Sequence, residues 1–275
     1  ADDNASGVSI IIELAGVLSK TLTPDRSVIF VAFTGEESGR KGSRYYIAHQ
    51  QRYPKDQIMG MLNIDTVGRL DKNRLLILGS GSAKEWGHIF KGASHMTGVG
   101  IEMISEELDS SDQKSFQEAG IPAVQFFAGP HLDYHKPNDS ADKIDAEGLA
   151  KVASVAKEVI EYIASRQEPL TATITTERNI EPKPKKERKV SFGIIPDFGY
   201  QGSGCRISGV IQDSAAERAG LKEGDIITGI NSEVVYKLKD LSDILKSLNP
   251  GDKVFISFLR EGKEMKIEAE VTERR

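Results

Sequence analysis

Cysteine is nearly absent. The sequence has one, Cys205, which excludes an internal disulfide framework and any metal cluster built on paired thiolates. Long apolar runs are missing as well. No stretch approaches the roughly eighteen residues that a bilayer-crossing helix needs, so no transmembrane segment is expected. Basic residues are not in excess: 36 Lys and Arg stand against 41 Asp and Glu, a net charge of −5. That balance argues against a general nucleic-acid binder, whose domain is usually basic. An initiator Met and a targeting segment are absent too. The chain opens on Ala1-Asp2-Asp3, and the expectation is that an upstream segment has been removed, so the first residues carry no address.

What remains is an ordinary globular composition. With 39% hydrophobic and 28% charged residues, collagen-like and fully disordered chains are excluded. A length of 275 residues suggests one or two domains. Residues 1–166 alternate helix-like and strand-like segments. Apolar residues recur at helical spacing in 9–20, 41–51, 83–96, 111–119 and 146–166. Short apolar runs in 27–33, 59–64, 74–78, 100–104 and 121–127 read as strands, and the run SVIFVAF at 27–33 as a buried one. The alternation predicts an α/β domain with a mixed, mostly parallel sheet and helices on both faces. Residues 167–188 are rich in Pro, Thr and charge, with Pro182 and Pro184 favouring an extended spacer. The basic run Lys183 to Lys189 reads as a solvated tether. Residues 189–275 read as a small β-rich domain with two short helices, 215–219 and 238–247.

Chemistry-bearing residues cluster at predicted strand ends of the first domain. Asp2 and Asp3 precede the first helix, Glu36 and Glu37 follow strand 27–33, Asp65 follows strand 59–64, and His135 lies beyond strand 121–127. The carboxyl ends of strands are where open α/β sheets bind ligands. Carboxylates gathered at one sheet edge raise each other's pKa. A divalent metal relieves that crowding, and a mixed imidazole and carboxylate set suits zinc, with manganese or cobalt as substitutes. Of two adjacent glutamates in a loop, one can ligate while the other carries a proton. Each site also has a plain structural reading. Asp2 and Asp3 can cap a helix, Glu36 and Glu37 can be a solvated pair, and His135 alone is more often structural than a ligand. Asp112 and Asp139 read as turn residues or supports for a ligand, Asp139 the better support. Cys205 and Trp86 read as core.

Four segments in order carry a resemblance: ADDNASG at 1–7, FTGEESGRKGS at 33–43, NIDTVGR at 63–69 and GIPAVQFFAGPHLDYHKPNDSADKI at 120–144. Residues 1–165 thereby resemble the co-catalytic di-zinc aminopeptidases, relatives of glutamate carboxypeptidase. The resemblance implies two zinc ions bridged by Asp3. Glu37 and His135 complete one site, and Asp65 with a histidine upstream of Ala1 completes the other. It implies that Glu36 is the general base toward a zinc-activated water and that Tyr134 polarises the substrate carbonyl or the oxyanion. None of His49, His88, His95 and His131 lies in a motif that could replace the upstream histidine. The second site is therefore expected to be weak and the activity of this chain poor. Peptides are the implied substrates, and a secreted or periplasmic location the implied address.

A second resemblance covers residues 189–273. SFGI at 191–194 and SGVIQDSAAERAGLKEGDIITGINSEVV at 208–235 resemble a PDZ domain of the bacterial protease type. It implies that a peptide, or a protein C-terminus, adds as a strand to a groove formed by Phe192, Gly193, Ile194, Leu241 and Leu245. An alternative to the enzyme follows: a catalytically inactive peptidase-like protein that binds peptides through this module.

Overall fold

The computed structural model describes residues 1–50, 52–105, 111–174, 189–200 and 202–273. Gln51 and residues 175–188, which hold most of the expected tether, lie outside the described residues. The chain divides into two compact units, one built essentially from residues 1–174 and the other from residues 189–273.

The first unit has α1 (Gly7–Thr21), α2 (Lys41–His49), β1 (Met61–Ile64), β2 (Leu75–Leu78), α3 (Trp86–Thr97), β3 (Ile101–Ile104), α4 (Gln113–Glu118), β4 (Ala123–Phe127) and α5 (Ala146–Ser165). The sheet order is β1-β4-β2-β3. β1 with β4 and β2 with β3 are parallel, whereas β2 with β4 is antiparallel. The sheet is thus mixed and mostly parallel, as expected. Side chains alternate across β4. Val124 and Phe126 join a core with Ile10, Leu14 and Leu18 of α1, Trp86 and Phe90 of α3, and Val152, Val155 and Val159 of α5. Ala123 points to the other face, where Phe116 of α4 and Tyr46 and Ile47 of α2 cover it. The i, i+4, i+8 and i, i+3, i+7 spacings of α1 and α5 put those apolar groups on one stripe each.

Two expectations are corrected. Residues 27–33 form no strand: they pair with nothing in a ladder among the described residues. Phe30 and Phe33 pack against the two cores, but Ile29 is 43% exposed. An apolar β-branched run shows affinity for a sheet, but a strand exists only where a partner supplies the ladder. Residues 167–174 are not tether. Leu170 is buried in the first core, Ala172 bridges to Ala83, and Lys84 and Thr173 donate to the carbonyls of Thr171 and Ser82. The polar composition of this stretch masked one apolar anchor.

The second unit has β5 (Val190–Ser191), β6 (Ile194–Pro196), β7 (Cys205–Val210), α6 (Ala215–Ala219), β8 (Ile226–Ile230), β9 (Glu233–Val234), α7 (Leu238–Ser247), β10 (Lys253–Arg260), β11 (Lys263–Glu270) and β12 (Thr272–Glu273). Its main sheet runs β11-β10-β8-β7-β6, leaving β6 at an edge. Both helices occupy the spans read from the sequence. Cys205 is buried in the core, where loss of solvent and then the Asp197 charge push its thiol up to about 12. It is a packing residue.

Candidate active site

The loop before α1 is stapled to the end of β1 by nearly every polar group in its motif. Asn4 donates to the Ile64 carbonyl and accepts from the amides of Gly7 and Thr66. Asp2 Oδ1 accepts from the Gly68 amide at 2.6 Å, and Ser6 accepts from the Val67 amide. The close approach needs Gly7, where a Cβ would lie 2.1 Å from the Ile64 carbonyl oxygen. Gly7→Ala should therefore cost about 1–3 kcal/mol by overpacking. Gly16 of the same helix has open space around its Cβ position, so Gly16→Ala should be neutral or stabilising. Urea unfolding of the two variants checks this contrast.

The parallel pair β1 and β4 carries two more of the predicted residues. The Asp65 amide donates to the Phe126 carbonyl, and Ala128 donates to Thr66, so the chain ends beyond both strands stay aligned. Asp65 leaves β1 here, and the segment leaving β4 leads to Tyr134 and His135. Glu36 and Glu37 sit on a tight loop. The Glu36 carbonyl accepts from Gly39 and Arg40, and Thr34 accepts from Gly42. A Cβ at Gly42 would come within 2.4 Å of the Thr34 oxygen, so this loop also depends on a glycine.

Three of the four predicted metal ligands meet. His135 Nε2 lies 3.1 Å from Asp3 Oδ2 and 2.7 Å from Glu37 Oε1. One donor atom from each of the three falls within 4.8 Å of the others. Hydrogen bonds to Asp3 and then Glu37 outweigh partial burial and raise His135 to about 9. Asp65 stands beside this trio. Ser111 and Thr66 hydroxyls donate to its carboxylate at 2.7 and 3.2 Å. Burial, opposed by those bonds and aided by the Asp3 charge, raises Asp65 to about 6. Glu36 rises to about 7, through burial first and then the charges of Glu37, Asp65, Asp112 and Asp3. Tyr134 stacks on the His135 ring, with centroids 3.8 Å apart. Shielding from solvent and then the charges of Asp3, Asp65, Glu37 and Glu36 push its hydroxyl far up, so it remains a donor at neutral pH.

These shifts fix a pH dependence for the metal-free protein. His135, Glu36 and Asp65 all have folded values above their ordinary ones. Their protonated forms favour the fold, and that stability is lost as pH rises through each folded value. The His135 part is fully present below about 6.5 and gone above about 9. Thermal unfolding in chelator should fall between pH 6.5 and 9. His135→Asn should flatten that part of the curve.

Ser111, Ser43 and Arg69, which the sequence did not single out, support these side chains, and Asp112 and Asp139, read as turn residues or supports, bond with two of them. Ser111 is 1% exposed and bridges Asp65 to Asn63, whose amide donates to it at 2.8 Å. Asp112 is buried and accepts from the Ser43 hydroxyl, whose oxygen lies 2.8 Å from that of Ser115. Asp139 accepts from the Asp3 amide and from the Ala1 nitrogen. Arg69 donates to both Asp133 and Asp139 at 2.8 Å. Burial alone would raise Asp139, but its bonds from the Ala1 nitrogen, the Asp3 amide and Arg69 hold it well below the usual carboxylate range. The signal was faint: Arg69 and Asp139 sit inside the quoted motifs, but nothing in one sequence pairs them.

In the second unit, Phe192, Leu241 and Leu245 are 0%, 2% and 1% exposed and pack in the core. Ile194 is half-buried on the edge strand β6. The Gly193 amide donates to Ser191 Oγ and its carbonyl accepts from Ile211.

Comparison with known proteins agrees with both units. Residues 1–160 match the model of peptidase family M28, and residues 206–260 match that of the PDZ domain. The chain is 31% identical over 183 residues to aminopeptidase YwaD of Bacillus subtilis, covering 62% of this chain and 39% of that protein. Among solved structures it is similar to an aminopeptidase from Aneurinibacillus sp. strain AM-1, with 34% identity and a TM-score of 0.54 over 65% of this chain and 42% of that one. It is also similar to BSAP, a zinc aminopeptidase from Bacillus subtilis, with 26% identity and a TM-score of 0.55 over 63% and 45% of the two chains. The C-terminal part is 34% identical over 70 residues to a probable periplasmic serine endoprotease, DegP-like, of Chlamydia trachomatis, covering 26% of this chain and 14% of that protein. The chain spans less than half the length of these relatives. With the family model matched over more than half of its residues, the chain belongs to peptidase family M28 and carries a PDZ domain after the peptidase part.

Proposed function

We propose that the protein is a zinc-dependent peptidase that removes N-terminal residues from peptides. One observation carries this reading: Asp3, Glu37 and His135, from three separate loops, bring one donor atom each into a common cluster. An imidazole with two carboxylates is a donor set that zinc accepts. The raised values of Glu36 and Asp65 mark a group of acids that a divalent cation would neutralise. Asp3, Glu37 and His135 would hold one ion, and Asp3 with Asp65 would contribute to a second. Zinc held there supplies a Lewis acid and acidifies water toward neutral pH.

The chain's own residues do the rest. Glu36, near 7, is poised to take a proton from the attacking water and return it to the leaving amine. The Tyr134 hydroxyl donates toward the oxygen that gains negative charge. Ser111 and Thr66 keep Asp65 turned toward the site. In the PDZ unit, β6 lies at the edge of the main sheet among the described residues, where an extended peptide would add as a strand. The similarity of the C-terminal part to a probable periplasmic endoprotease supports a periplasmic or secreted location.

A peptide assay tests the reading. Free-amino peptides should lose N-terminal residues, N-acetylated ones should not, and chelator should stop release until zinc is restored. Peptide affinity through the PDZ unit without any turnover would instead support an inactive, binding-only protein, a reading that the edge position of β6 favours.

A further inference from the structure

We propose that Arg69 is a positioning residue for the metal centre: its single guanidinium, bonded to Asp133 and Asp139, sets His135 against Asp3. This rests on the metal-centre reading above. His135 sits on a turn-rich segment with φ of +56°, outside any helix or strand. Nothing in its own secondary structure fixes where the imidazole goes. Asp3 has the same problem, since its φ of −102° and ψ of 104° break from helical values.

Arg69 closes both gaps. One amino group donates to Asp133 Oδ2, two residues before His135, and the other to Asp139 Oδ1, four residues after it. The segment carrying His135 is thereby clamped at both ends. The second oxygen of Asp139 accepts from the Asp3 amide at 3.0 Å. Arg69 itself follows Asp65 by four residues on the segment leaving β1. One side chain thus ties together the segments that carry Asp3, Asp65 and His135. Its exposure is 14% and that of Asp139 is 6%, so water competes poorly for these bonds. Lysine cannot copy the clamp, because a planar fork reaching two carboxylates at once is a property of the guanidinium. The only other cation on Asp133 among the described residues is Lys143, at 2.9 Å and 38% exposed.

The test compares wild type, Arg69→Lys and Lys143→Ala as the full 275-residue chain. Zinc affinity is read by competition with a chromogenic chelator, and amide exchange is read on the metal-free proteins. Loss of a partner that orients a ligand typically weakens metal binding about 10–100-fold. Arg69→Lys should fall in that range and should speed exchange across residues 133–139, with α1, α5 and β4 unchanged. Lys143→Ala should stay close to wild type in both. Wild-type zinc affinity in Arg69→Lys overturns the proposal. So does faster exchange spread over the whole unit, which would make Arg69 a general stabiliser. Asp139→Asn, which breaks the same clamp from its other end, should reproduce the Arg69→Lys pattern. If wild type itself takes up no zinc, the metal-centre reading fails, and exchange at 133–139 still decides whether Arg69 holds the loop.

Discussion

Glu36→Gln is expected to lower peptide turnover by about a thousandfold, within the range that a positioned general base contributes, while zinc content stays unchanged. Glu37, the neighbour, faces His135 at 2.7 Å and belongs to the cluster of donor atoms with Asp3 and His135. Glu36 is not in that cluster, and its carboxyl is held near 7 by burial and by four surrounding acids. A group at that value can both accept and return a proton near neutrality, whereas an ordinary exposed glutamate is too weak a base. Glutamine keeps the shape and removes only the proton chemistry. Metal analysis beside the rate measurement checks the assignment. Loss of zinc together with activity would place Glu36 among the ligands instead.

The second large effect is expected at Asp3. Its carboxylate faces His135, and its charge also acts on Asp65 and Glu36. In the proposed centre Asp3 would serve both ions. Asp3→Asn should lose zinc at every site and reduce turnover to background. Asp65→Asn should spare the site formed by Asp3, Glu37 and His135. Zinc stoichiometry of the two variants, measured after dialysis, tests the order. Equal losses in both would contradict a shared role for Asp3. Asparagine at position 3 preserves the backbone amide that bonds to Asp139, so the comparison isolates the carboxylate.

The sequence alone carried the sheet class because parallel strands that are buried on both faces, such as LLIL in β2, must be apolar throughout. The order of the quoted motifs pointed to Asp3, Glu37 and His135, and the fold brings one donor atom of each within 4.8 Å of the others. Residues 27–33 misled for a physical reason: apolar character signals burial affinity, and pairing depends on a partner that the segment itself does not specify. Ser111, Arg69 and Ser43 were illegible because a hydroxyl or guanidinium becomes a support only when the fold brings it to a carboxylate far away in sequence. Phe192, Leu241 and Leu245 were read from their motif, and the fold buries all three in the core of the second unit.

Zinc uptake by the metal-free chain is the most direct test of the cluster formed by Asp3, Glu37 and His135. His135→Asn is the comparison of choice, since asparagine tolerates the positive φ of this position but is a poor ligand for zinc. Titrated side by side, wild type should take up zinc at a site that chelator competes for, and His135→Asn should lose that uptake while still unfolding in one cooperative urea transition. Equal zinc binding by the two proteins, or none by wild type, would contradict a zinc site there.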